Sequence, residues 1–173
     1  KRQPMGYAPC FWLDHNSCWG TQDELKKMIK TFSDKGTGII EDVVINHKNG
    51  LTTWVDFPDE TSGNYSITWD NTNFSGICSN DECNNNGYKT TGAKDTGDNF
   101  DGYRDLDHTN ETVQKNVKTY LDFLLKELGY VGFRYDMVKG YDAKYTGKYN
   151  TEVNPTYSVG ECWDGNKTVV TNW

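Results

Sequence analysis

The chain has 173 residues and a formal net charge of −7, enough for one domain with a real core and too acidic for a nucleic-acid partner, which needs clustered Lys and Arg. Aromatic residues make up 14% and there are 17 glycines, a composition that fits neither a disordered nor a membrane chain. No apolar run approaches the roughly 20 residues of a transmembrane helix, and the five cysteines lack the Cys-x-x-Cys spacing of a zinc or redox site.

Residues 1–20 read as an aromatic-rich loop at a strand end, and Lys1 is no natural translation start, so an upstream piece is expected to be missing. Thr21 then caps a helix, with Glu24 three residues on completing a capping box. Leu25, Met28, Ile29 and Phe32 recur at helical spacing and predict one buried face, and Gly36 and Gly38 stop the helix. The run from Gly38 to His47 is nearly continuous in apolar residues, as in a parallel strand covered on both faces. Residues 48–104 are poor in aliphatics and rich in Asn, Asp, Gly and Thr; a structureless loop of that length is improbable, so a small inserted subdomain is expected. Within it Cys78 and Cys83 are near enough to bridge in an oxidising compartment, which the sequence leaves open.

Asn110 is a plausible N-cap for a helix whose face is Val113, Val117, Tyr120, Leu121, Leu124, Leu125 and Leu128, ended by Gly129. A strand ending at Asp136 follows, then a short polar helical or turn segment over 142–148, then a strand ending at Glu161. This alternation predicts an α/β fold with a parallel sheet. Two carboxylic acids at successive strand ends are the minimal equipment for splitting a glycosidic bond, one as nucleophile and one as general acid/base. Arg134, two residues before Asp136, falls on the same face of its strand.

Four stretches in order, Asp42-Val-Val-Ile-Asn-His47, Arg104-Asp-Leu-Asp-His108, Gly132 to Tyr141 and Val159-Gly-Glu-Cys-Trp163, resemble the α-amylase family of glycoside hydrolases. The resemblance runs from Tyr7 to Asp164 and is most similar to plant and related bacterial members. It implies a partial (β/α)8 barrel, about strands 2 to 5, with 1–47 and 105–173 as barrel segments and 48–104 as an inserted calcium-binding domain B. Carried over residue by residue, it implies Asp136 as nucleophile, Glu161 as general acid/base and Arg134 as the group that orients the nucleophile. Those roles ask for a lowered pKa at Asp136, which the guanidinium would supply, and a raised one at Glu161, which Trp163 would help supply. Tyr7 and His47 match sugar contacts at the cleaved bond, and Lys139 and Tyr141 match product-side positions. His108 reads as a structural residue.

The same resemblance implies Ca2+ held by the side chains of Asn46, Asp95, Asn99 and Asp105 and the carbonyls of Asp98 and Gly140, oxygen ligands that suit this ion. Asn99 stands where the plant pattern has an aspartate. The family's fourth stretch, Asn-His-Asp, occurs nowhere in these 173 residues, and a whole barrel takes about 250; the chain therefore reads as an internal piece, inactive alone, with two open sheet edges. The expected parent is a secreted or periplasmic, monomeric, retaining α-amylase acting on internal α-1,4 bonds of starch and related α-glucans, with no nucleic-acid or membrane partner. The alternatives are an oligosaccharide glucosidase, pullulanase or transglycosylase of the same family, or a glucan-binding barrel without catalysis.

Overall fold

A computed structural model describes residues 6–173, so the first five residues of the opening loop lie outside the described ones. The first helix, α1 (Gln22–Ser33), starts as expected: Thr21 Oγ1 accepts from the Glu24 N–H, and the Glu24 carboxylate accepts from the Thr21 N–H at 2.8 Å. Its apolar stripe is covered less than its spacing predicts. Ile29 is buried, whereas Met28 and Phe32 are exposed, because α1 rests on the turn at 124–128, where Lys26 pairs with Glu127 at 2.6 Å. That footprint covers Ile29 fully and Leu25 in part.

Strand β1 (Ile40–Val43) is followed by β2 (His47–Lys48), which pairs antiparallel with β5 (Arg104–Asp105). Between them, residues 48–104 hold the hairpin β3 (Glu60–Ser62) and β4 (Tyr65–Ile67) and a 3-10 turn over Glu82–Asn86. The fastening there is polar and aromatic. Arg104 pairs with Asp81 and Glu82, and the ammonium of buried Lys48 lies 4.3 Å from the Trp12 ring centroid and 5.4 Å from that of Trp69. Cys78 and Cys83 are both free thiols.

Helix α2 (Glu111–Phe123) is capped by Asn110, whose Oδ1 accepts from the Thr112 and Val113 N–H groups. Its buried face matches the predicted spacing, with Leu125 only partly covered. The last turn, Leu124–Leu128, widens to a π-helix before Gly129 takes a left-handed φ of +90°. After β6 (Gly132–Tyr135) comes α3 (Ala143–Val153), longer than the expected turn over 142–148. Tyr145, Tyr149 and Val153, four residues apart, form its buried stripe; a face made of two tyrosines is amphipathic but reads as polar in sequence. Strand β7 (Tyr157–Gly160) and the short α4 (Lys167–Asn172) complete the chain.

The three longer strands form one parallel sheet in the order β1-β6-β7, with β6 central. On one face Val43, Phe133 and Tyr135 are fully buried, and removing such a ring from water is worth about 1.5–3 kcal/mol. The opposite face carries Ile40, Tyr157 and Val159, all exposed, so the expectation of a sheet covered on both sides is corrected: the described residues cover one. Among them, no helix is long and apolar enough to cross a membrane.

Candidate active site

The uncovered face is where the ionisable groups gather. Register places Asp42 beside Arg134 and Arg134 beside Val159, and alternation brings Asp136 and Glu161 to the same face one step further along β6 and β7. Both acids leave the sheet with their backbones still tied to it: the Asp136 N–H donates to Val43 O at 2.9 Å and the Glu161 N–H to Tyr135 O at 2.8 Å.

Arg134 is the hub. Its Nη1 lies 2.6 Å from Asp42 Oδ1 and 2.7 Å from Asp136 Oδ1, and its Nη2 lies 2.9 Å from Glu161 Oε1. Three carboxylates on one planar fork are charge-assisted contacts that fix orientation as well as charge. Asp42, which the motif reading had not placed in the site, also accepts the Tyr7 hydroxyl through Oδ2 at 2.8 Å. Its signal in the sequence is that it opens the first of the four stretches.

The electrostatics differ from expectation at Asp136. Burial raises its pKa; Arg134 opposes that through its hydrogen bond and charge, while Glu161 and Asp42 add to the rise. The expected lowering therefore does not prevail. Burial disfavours the charge of Arg134, yet Asp42 and Asp136 more than offset it and raise its pKa. Trp163 does not wall in Glu161, since its side chain is 83% exposed; Glu161 Oε2 instead accepts the Met137 N–H at 3.2 Å.

Two other expected contacts turn inward. His47 is 2% exposed and stacks on Phe100 and Tyr103. Its Nε2 donates to Tyr7 O at 2.9 Å and its Nδ1 lies 3.2 Å from the Asn46 amide nitrogen, so one ring nitrogen ties down the loop carrying Tyr7 and the other faces Asn46. The Tyr141 ring is buried, stacked on His108 with centroids 4.3 Å apart, which places it in the core instead of along a product-side surface. Lys139 stays at the surface, paired with Asp98 at 2.9 Å and Asp164 at 3.2 Å. Tyr7 is exposed and, with Asp42, borders a cavity of about 280 Å³.

The expected calcium ligands split into two groups. Asn46 Oδ1 and Asp95 Oδ2 are buried oxygens with no hydrogen-bond donor. Asn46 Nδ2 reaches Asp105 Oδ1 at 3.3 Å, and the charge of Asp95 bears on Asp105. Burial, with the charges of Asp95, Asp81 and Glu82, pushes Asp105 up to about 8. Gly140 lies so close that a Cβ there would meet Asn46 Oδ1 at 1.9 Å. These oxygens, short of positive charge, fit a hard cation. No group of three or more His, Cys, Asp or Glu side chains among the described residues is arranged to hold a metal, so such a site would draw on amide and carbonyl oxygens as well. Asp98 turns its carboxylate to Lys139, and its N–H donates to Lys139 O at 2.8 Å. The Asn99 side chain is engaged elsewhere, accepting from Asn80 Nδ2 at 3.2 Å and donating to Asp101 Oδ1 at 2.8 Å.

Residues 3–172 match the family described as alpha amylase, catalytic domain. The chain is 32% identical over 161 residues to the probable alpha-amylase 2 of Arabidopsis thaliana, covering 93% of this chain and 37% of that protein. It is 32% identical over 166 residues to the chloroplastic alpha-amylase 3 of the same plant, covering 93% of this chain and 17% of that one. Among solved structures, an alpha-amylase from Geobacillus thermoleovorans complexed with acarbose superposes with a TM-score of 0.66 at 20% identity, over 99% of this chain and 37% of that one. An alpha-amylase from Malbranchea cinnamomea does so with a TM-score of 0.63 at 20% identity, over 93% and 33%. At that identity the agreement speaks for the fold. The chain thus spans little more than a third of the length of the first of these relatives.

Proposed function

The chain belongs to the α-amylase catalytic-domain family, and we propose that it carries the reacting carboxylates of a retaining hydrolase of internal α-1,4 bonds in starch and related glucans. The observation that carries this reading is the guanidinium of Arg134 gripping Asp136 at 2.7 Å and Glu161 at 2.9 Å. Oxygens held on one small fork are necessarily close, as the retaining mechanism needs, with carboxyl groups about 5 Å apart. In the proposed double displacement, Glu161 gives a proton to the departing glycosidic oxygen while Asp136 attacks the anomeric carbon. Glu161 then takes a proton from the water that releases the sugar.

The negative charge of Glu161 is one of the lesser causes of the rise at Asp136, after burial, so a proton on Glu161, as the acid step requires, removes that part of it, while Arg134 favours the Asp136 carboxylate throughout. Tyr7 and Asp42 would border the sugar under attack. Asn46, Asp95 and Asp105, with carbonyls of Asp98 and Gly140, would hold Ca2+, whose charge would staple residues 95–105 to the end of β1; Asn99 takes no part.

The partial barrel, the inserted domain at 48–104 and export to the periplasm or medium belong to the same proposal. So does inactivity of the 173 residues alone, supported by the bare face of Ile40, Tyr157 and Val159 around the acids. The test is digestion of soluble starch by the full-length protein, followed by NMR of the first products. Internal cleavage with α-anomers supports the reading; β-anomers, or release of single glucose units alone, would sink it.

A further inference from the structure

The opening loop is gripped along its whole run from Tyr7 to Leu13. Its carbonyls are taken up by three successive residues: Tyr7 O accepts from His47 Nε2 at 2.9 Å, Cys10 O from Lys48 Nζ at 2.9 Å and Pro9 O from the Asn49 N–H at 3.0 Å. The next amides turn onto a carboxylate from elsewhere in the chain. The Trp12 N–H lies 2.9 and 2.8 Å from the two oxygens of Glu60, and the Leu13 N–H donates to Oε2 at 2.7 Å. Glu60 opens β3, and its hairpin is fastened to α2 just past β4, where Asn116 Nδ2 donates to Thr68 O at 2.8 Å.

The Glu60 side chain is 4% exposed and that of Lys48 is fully buried, with Nζ 3.9 Å from Glu60 Oε1. A carboxylate this far from water is costly unless it is paired and hydrogen-bonded; here two backbone amides and one ammonium meet that need. The Trp12 ring adds a second hold, stacked on Tyr120 with centroids 5.1 Å apart and planes within 5°. The loop cannot slide without parting these charges or unstacking that ring. Its other end carries Tyr7, whose ring is exposed and whose hydroxyl reaches Asp42, itself joined to Arg134. An exposed ring has little packing of its own to place it, so its position follows the anchors of its loop.

We propose that Glu60, paired with Lys48, is a positioning residue that sets where Tyr7 stands against Asp42 and the sugar under attack. The contact with sugar rests on the function proposed above, whereas the clamp on the loop stands on the distances alone. Glu60 acts through the backbone of the loop and touches no reacting atom. It couples the β3–β4 hairpin to the acids, although no residue of that hairpin lines the cavity beside Tyr7 and Asp42.

The test is a double-mutant cycle in the full-length enzyme acting on maltoheptaose, with the competent molecules counted by covalent trapping on a slow fluorinated substrate. Glu60→Gln keeps the shape but sets an NH2 group among donors, since Lys48 Nζ and two amide N–H groups all face the carboxylate. It is expected to lower kcat/KM per competent molecule about tenfold. Tyr7→Ala removes the group through which Glu60 acts, so adding Glu60→Gln to it should cost less than about twofold more. Should Glu60→Gln not fold, Glu60→Asp, which keeps the charge and draws it back by one methylene, runs the same cycle with an expected loss of about threefold. An unchanged kcat/KM, equal losses with and without the Tyr7 ring, or a loss confined to the number of competent molecules would overturn the proposal and leave the hydrolase reading intact. A wild-type enzyme that neither cleaves maltoheptaose nor traps an intermediate would overturn both.

Discussion

Arg134 and Asp42 stand opposite each other in the parallel pair β1–β6, joined at 2.6 Å across 92 residues of sequence. That contact puts a third carboxylate on the guanidinium that holds Asp136 and Glu161, and through the Tyr7 hydroxyl it connects the acids to the opening loop. Asp42 is one of the charges that raise Asp136. Asp42→Asn should therefore let the Asp136 pKa fall and move the acid limb of the kcat/KM profile of the full-length enzyme to lower pH. Turnover should drop about 10- to 100-fold as Arg134 loses an anchor, roughly 1.4–2.8 kcal/mol of barrier. An acid limb that stays in place would show that Asp42 does not sense Asp136.

Asp136→Asn should abolish the covalent glycosyl intermediate, and Glu161→Gln should slow both its formation and its hydrolysis. Either change is expected to cost three orders of magnitude or more, roughly 4 kcal/mol. Mass spectrometry of enzyme quenched on a slow fluorinated substrate reads the intermediate directly. A variant keeping a tenth of wild-type turnover would remove its residue from the role.

If Ca2+ satisfies Asn46 Oδ1 and Asp95 Oδ2, the two buried oxygens without donors, a chelator should lower the melting temperature and added Ca2+ should restore it. Asp105→Ala should erase most of that difference. Asn99→Ala should preserve it, because the Asn99 side chain is engaged with Asn80 and Asp101. Calorimetry with and without chelator decides between these outcomes, and equal melting curves for wild type would exclude the site.

Glu41 offers a pH test away from the reacting acids. Burial raises its carboxyl to about 7, although the hydrogen bond from Tyr130 opposes the rise. A group whose folded pKa lies above its unfolded one favours the folded state fully below the unfolded value, near 4.5, and loses that contribution as pH climbs through about 7. Glu41→Gln should therefore stabilise the protein at pH 8, flatten its stability between about pH 4.5 and 7, and change little at pH 4. The residue remains partly exposed, so the gain at pH 8 is on the order of 1–2 kcal/mol and not the full shift. Urea melts at pH 4.5 and 8 measure it, and a variant with the wild-type slope would refute the assignment.

Where the interactions are local, the sequence alone determined the outcome. The Thr21–Glu24 capping box, the Asn110 cap, the buried stripe of α2 and the positions of Asp136 and Glu161 just past their strands follow from spacings of a few residues. The family was legible for a related reason: its motifs are short runs at strand ends, where chemistry restricts residue type. Tertiary structure decided everything that depends on what faces a side chain from far along the chain. Register recruited Asp42, a stack on His108 withdrew Tyr141, and the Tyr7 carbonyl and Asn46 occupied both nitrogens of His47. The sign of the shift at Asp136 was likewise a balance of burial against one cation and two anions. Desolvation and Coulomb energy depend on distance and enclosure in space, and neither can be read from the order of residues.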